Sequence, residues 1–139
     1  MVPLTLKVPV PFEYVFPAGV LCLGVGPQVD FDRRGEADNQ ARDKETGERV
    51  WLVRVMDLDP EAGRFGRSTE VKVKVVAPVQ PVPPPSTVPG YPPAVAFEGL
   101  TLTPYVDSQR CKTSGQCKAR MAYSLRATAL VPAAALAAA

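Results

Sequence analysis

The sequence predicts an all-β fold in which five strands share a single domain. Three observations carry that expectation. The cleanest apolar segment, Ser68 to Val76, has period 2: Val71, Val73 and Val75 fall on one face, Lys72 and Lys74 on the other. The 16 prolines break up much of the remaining chain, and a proline in a helix interior removes a backbone donor and clashes with the preceding turn. At 139 residues the chain can bury one core but is too short for two ordinary domains.

Residues 1 to 17 mix apolar residues with Pro3, Pro9, Pro11 and Pro17, which suits an edge strand or an extended arm. Gly19 to Phe31, rich in β-branched and aliphatic residues, reads as the first strand, with Gly24 and Gly26 marking a bulge or sharp bend before Pro27. Residues 32 to 49 have no apolar periodicity and should form a long solvated loop or be partly disordered. The second strand, about Arg49 to Leu58, places Trp51, Val53 and Val55 opposite Leu52, Arg54 and Met56, and the Trp face is the core candidate. Those three, together with Val71, Val73 and Val75 of the third strand, should be buried as one cluster.

From Ala77 to Ala94 there are eight prolines in 18 residues, a composition that forbids helix and favours polyproline II. It is either a stiff connector laid over the sheet or a docking segment for a proline-reading partner. The fourth strand, about Val95 to Val106, turns Leu100 and Leu102 one way and Thr101, Thr103 and Tyr105 the other. After the polar turn DSQRCKTSGQCK, the fifth strand, about Ala119 to Thr128, alternates Met121, Tyr123 and Leu125 with Arg120, Ala122, Ser124 and Arg126. Residues 1–128 are thus one β domain and residues 129–139 an alanine-rich tail, too short to hold a helix alone.

Composition restricts the chemistry. There is no histidine, which removes the usual general base, metal ligand and partner of a nucleophile. No glycine-rich phosphate loop or paired-carboxylate motif replaces it, so an enzyme is not expected. Asp57 and Asp59 share a face, but Asp-Leu-Asp-Pro reads as a strand-ending turn rather than the start of a metal site. Three cysteines are an odd number, and Cys22 sits in an apolar run as a small hydrophobe. Cys111 and Cys117 are spaced for either a loop-closing disulfide or two free thiols, and a zinc site would lack ligands. This pattern, with no signal-like or membrane-spanning segment, leads to the expectation of a cytoplasmic protein without cofactor, metal or membrane partner.

Charge is uneven. Residues 1–50 carry six Lys/Arg against eight Asp/Glu, and residues 51–139 carry ten against six, so any anion-binding surface should lie in the second part. If the second, third and fifth strands share one core, Arg54, Lys72, Lys74, Arg120 and Arg126 fall together on the opposite face. Such a stripe either neutralises phosphates or merely keeps an outer face soluble. The turn before the fifth strand adds Arg110, Lys112 and Lys118. In a five-stranded barrel of oligonucleotide-binding type, the loops after the first and fourth strands flank the binding groove. That barrel is the expected fold, with the proline-rich stretch in place of the usual helix after the third strand and a two-sheet sandwich as the alternative. Tyr105, Tyr91 and Phe97 have rings that either stack on bases or pack in the protein.

The segments GVLCLGVGPQVDFD, DKETGERVWLVRVMDLDPEA, VKVKVVAPVQPVPP, VAFEGLTLTPYVD and AYSLRA occur in this order. They resemble the actinomycete family named plasmid replication, integration and excision activator, whose members are encoded on integrative and conjugative elements. The resemblance spans roughly residues 8 to 128; its most specific part is the string from Lys74 to Pro84 together with FEGLTLTPYVD. The chain departs from the family in an enlarged Cys111 to Cys117 turn and in the alanine tail. The resemblance implies an accessory role in the functions of a mobile element and assigns no catalytic or binding residue. The expected function is a non-enzymatic activator that binds DNA, preferably single-stranded, through Arg54, Lys72, Lys74, Tyr105, Arg110, Lys112, Lys118, Arg120 and Arg126. The alternative is an adaptor that contacts the element's replication or recombination proteins without touching DNA; self-association is open in both.

Overall fold

The computed structural model of the chain describes residues 2, 6–64, 67–108 and 119–134. It is all-β. Its strands are β1 (Val8–Pro9), β2 (Val20–Pro27), β3 (Val50–Asp57), β4 (Glu70–Val76), β5 (Ala94–Glu98), β6 (Thr101–Asp107), β7 (Arg120–Ala127) and β8 (Ala129–Pro132). All eight lie in one sheet, in the order β1-β6-β7-β4-β3-β2-β5-β8, which curls into a half-barrel that brings β8 back towards β4. A single helical turn, α1 (Phe12–Val15), follows Pro11, and a 3-10 turn covers Phe31–Arg33.

β2, β3 and β4 form an antiparallel meander that pairs Val55 with Cys22 on one side and Val71 on the other. Its register shifts between Cys22 and Gly24, so the bulge expected from the strand glycines is present. β4 then pairs with β7 in parallel, at Val73–Leu125 through Val75–Ala127. Val20 and Cys22, Val53 and Val55, Val73 and Val75, Val95 and Phe97, and Leu125 and Ala127 turn to the concave side and are buried. α1 closes one end of this core, with the Phe12 ring centroid 5.4 Å from Phe16 and 6.2 Å from Phe97.

The strand count differs from the five expected, and the reason is local. The fourth expected strand divides into β5 and β6 around Gly99, whose φ is +62°, and the fifth, β7, is followed after Thr128 by an additional strand, β8. The register nevertheless runs straight through: Glu98 pairs with Ala129 and Thr101 with Arg126, so β5–β6 and β7–β8 are one long bent hairpin. Its β6–β7 half joins β4 through β7, while its β5–β8 half joins β2 through β5. At the bend the Thr128 N–H (2.9 Å) and hydroxyl (3.2 Å) both donate to the Glu98 carbonyl. The eighth strand is the two-residue β1, an edge piece on β6.

Further expectations are corrected. Ala129–Pro132, read as the start of the tail, is β8 because Leu130 packs against the core opposite Phe97. Val53, Val55, Val73 and Val75 are buried as expected, but Trp51 is half-buried at the rim, where its indole N–H donates to the Ala77 carbonyl at 2.9 Å. Met121 and Tyr123 share the face of Leu125 but are about half exposed, since β4 pairs with β7 only from Leu125 onward. The polar loop after β2 is folded, through the bridges Val29–Gln40 and Arg42–Arg49 and the buried Gln40 amide, which donates to the Val50 carbonyl at 3.0 Å.

Candidate nucleic-acid interface

The convex face of the meander presents the residues that alternate with the core valines. Register places Leu52 beside Lys74, and Arg54 beside Lys72, while the parallel ladder places Lys74 beside Arg126. Arg54 also lies beside Gly24 of β2, where a Cβ would stand 3.1 Å from its guanidinium, so glycine makes room for the arginine to lie flat over the sheet.

The five strand cations are not equivalent. Arg54 donates to Glu70 at 3.3 Å and Arg120 stands 3.8 Å from Asp107. Arg126 is held at 3.1 Å by Asp43, a buried carboxylate carried in by the folded loop after β2. Burial pushes the Asp43 carboxyl up, but donation by the Thr46 N–H (3.1 Å) and hydroxyl (3.0 Å), with Lys7 and Arg126 nearby, outweighs it and leaves it below its ordinary value. Lys72 and Lys74, by contrast, have no acidic partner among the described residues. Burial, and then the Arg126 charge beside it, pull the Lys74 ammonium below its ordinary range. Two neighbouring cations, one desolvated and unpaired, form a place where an anion lowers the energy.

Lys72 and Lys74 line a cleft of ≈ 540 Å³ with Phe31, Leu52, Tyr105 and Tyr123. Phe31 is 71% exposed, with the Arg34 guanidinium 5.5 Å from its ring centre, and the two tyrosines are about half exposed. Exposed rings beside unpaired ammonium groups are the elements of a surface that binds phosphates and stacks bases. Tyr105 was expected there; Phe31 and Tyr123 were not. The signal for Phe31 was an aromatic residue set between Asp30 and the polar DRRGEADN stretch, and Tyr123 was hidden by its alternation with Leu125.

Of the remaining candidates, Arg110, Lys112, Lys118, Cys111 and Cys117 lie outside the described residues. Phe97 is buried in the core and cannot stack on a base, while exposed Tyr91 lines a separate cleft with Leu21 and Val88. Asp57 accepts the Asp59 N–H at 3.0 Å and Asp59 the Glu61 N–H at 2.9 Å, so both carboxylates close the turn that ends β3. Among the described residues no group of three or more Cys, Asp or Glu side chains gathers where it could hold a metal ion. No protein-family model matches the chain, and neither a curated protein nor a solved structure matches it significantly.

Proposed function

We propose that this protein is a non-enzymatic accessory factor that binds single-stranded DNA across the convex face of β3 and β4. The observation that carries the reading is the Lys72–Lys74 pair, without an acidic partner among the described residues, beside Arg126 and bordered by Phe31, Tyr105 and Tyr123. Phosphate contact would offset the burial and the Arg126 repulsion that lower Lys74, and release of condensed counterions would make binding strongly salt-dependent. Bases freed from pairing would stack on the rings, which a duplex does not offer.

We further propose that the half-barrel is a five-stranded barrel of oligonucleotide-binding type. Its strands would be β2, β3, β4, the bent β5–β6 and the bent β7–β8. Support comes from the register that continues through the bend, the parallel β4–β7 pairing and the β2–β5 pairing that meets the other half of the hairpin. In that arrangement the convex face of β3 and β4, beside the loop after β2, is where oligonucleotides lie. The segment resemblance described above adds the context, a mobile genetic element whose replication, integration or excision the protein would assist.

The test is a titration of labelled single- and double-stranded oligonucleotides at two salt concentrations. Lys72→Gln/Lys74→Gln should weaken binding for all sequences alike and reduce the slope of log affinity against log salt by about 0.7 per lost single-strand contact. Absence of binding by the unaltered protein at moderate salt, or an affinity and slope untouched by the double substitution, would overturn the reading.

A further inference from the structure

β4 and β7 pair over only three positions and then part. N-terminal to the Val73–Leu125 pair, Glu70–Val71 of β4 have a strand partner only in β3, with the Glu70 N–H donated to the Ser68 hydroxyl at 3.1 Å, and Arg120–Tyr123 of β7 only in β6, among the described residues. Among the described residues, two strand edges therefore face each other with no ladder between them, the condition that soluble proteins usually avoid by covering or charging the edge. The gap between them is a cleft of ≈ 980 Å³, at the upper end of the ~300–1,000 Å³ range of ligand pockets. Its floor is apolar, made by Phe16, Leu102 and Leu125, and Val71, Met121 and Tyr123 line its walls. Met121 and Tyr123 are 51% and 54% exposed, large side chains left uncovered by the fold. At the rim stand Arg67, Lys72 and Arg120, with Asp57 and Glu70.

We propose that this cleft receives an extended peptide segment of a partner protein, inserted as a strand between β4 and β7. The strand edges supply main-chain partners on both sides of the guest, at the spacing that an extended peptide backbone matches. Strand geometry then sets the guest's sequence, because successive side chains point to opposite faces. Those pointing inward meet Leu102, Leu125 and Phe16 and should be apolar. Those pointing outward meet Lys72, Arg67 and Arg120, of which Lys72 has no acidic partner among the described residues, and should be acidic. The guest is thus an alternating apolar and acidic segment. This inference shares Lys72, Tyr105 and Tyr123 with the nucleic-acid reading, but Met121 lines only this cleft, so Met121→Asp tests the two readings separately.

The test pans the whole chain against a displayed library of random peptides and then synthesises the enriched sequences. The expected result is enrichment of alternating apolar and acidic residues, with amide exchange at Arg120–Tyr123 slowed about tenfold or more by the bound peptide. Methylating alternate backbone nitrogens of the peptide should abolish binding, and Tyr123→Asp or Met121→Asp should weaken it by about tenfold or more while thermal unfolding stays cooperative. Failure to enrich any peptide, enrichment without alternation, protection elsewhere on the sheet, or indifference to backbone methylation would overturn the proposal. Protection of the same amides by a single-stranded oligonucleotide instead would assign the cleft to nucleic acid, which also overturns it.

Discussion

Replacing Gly99 with alanine should destabilise the protein by about 2 to 5 kcal/mol, a sum of two contributions. The first is conformational: at φ +62° a residue with a Cβ is disfavoured by about 1 to 2 kcal/mol. The second is steric, because the new Cβ would overlap Thr128 Oγ1 and lie 3.0 Å from Thr128 Cγ2. Overpacking of that kind costs about 1 to 3 kcal/mol. Thr128→Ala alone loses only the exposed hydroxyl bond to the Glu98 carbonyl, about 0.5 to 1.5 kcal/mol. The two effects should not add: the double variant keeps the backbone penalty but sheds most of the clash, and should be about 1 kcal/mol or more steadier than the sum of the singles. Urea unfolding of the four proteins, followed by far-ultraviolet circular dichroism, measures the cycle. A Gly99→Ala variant within about 0.5 kcal/mol of the parent, or strict additivity, would refute the claim that this glycine bends the long hairpin.

Four further outcomes follow from the packing and the ion pairs. Val55→Ala, in a side chain with no exposure, should cost about 2 kcal/mol or more. Trp51→Phe, which keeps a ring at the rim but loses the bond to Ala77, should cost only about 1 kcal/mol by the same assay. Donation from Arg49 and then Arg42 draws Asp38 down to about 2, and Asp43 is also lowered, so both bind a proton less readily folded than unfolded. Their stabilising contribution is present above the unfolded carboxylate value near 3.8 and lost as pH falls towards 2, so Asp38→Asn/Asp43→Asn should flatten the fall of the urea midpoint across that window. Burial raises the Cys22 thiol, so the Cys22 peptide should escape alkylation in the native protein and react once urea unfolds it, as mass spectrometry would read.

The long strands were legible because each buries one face. Val53, Val55, Val73 and Val75 announce themselves by period 2, and the strand boundaries fall within a few residues of the hydrophobic runs. What could not be read were features set by partners distant in sequence. Nothing near Arg126 signals that Asp43, 83 residues away, will neutralise it, or that Glu70 will take Arg54 while Lys72 is left alone. Alternation put Tyr123 on the core face correctly, but whether that face is covered depends on where β4 stops pairing with β7, which is a property of the sheet. The bend at Gly99 was equally hidden, since glycine in a strand pattern signals a bulge, a bend or a close approach without choosing among them.

The bent hairpin also makes one segment answerable for two edges. The β2–β3–β4 meander of residues 20–76 has one outer edge on β2 and another on β4. Residues 94–132 meet both: β5 pairs with β2 and β7 with part of β4. Without that segment the meander would be a three-stranded ribbon with open edges, the form in which β chains join one another. Any truncation or nick that frees the hairpin therefore opens two edges at once, and its consequence is aggregation rather than partial function.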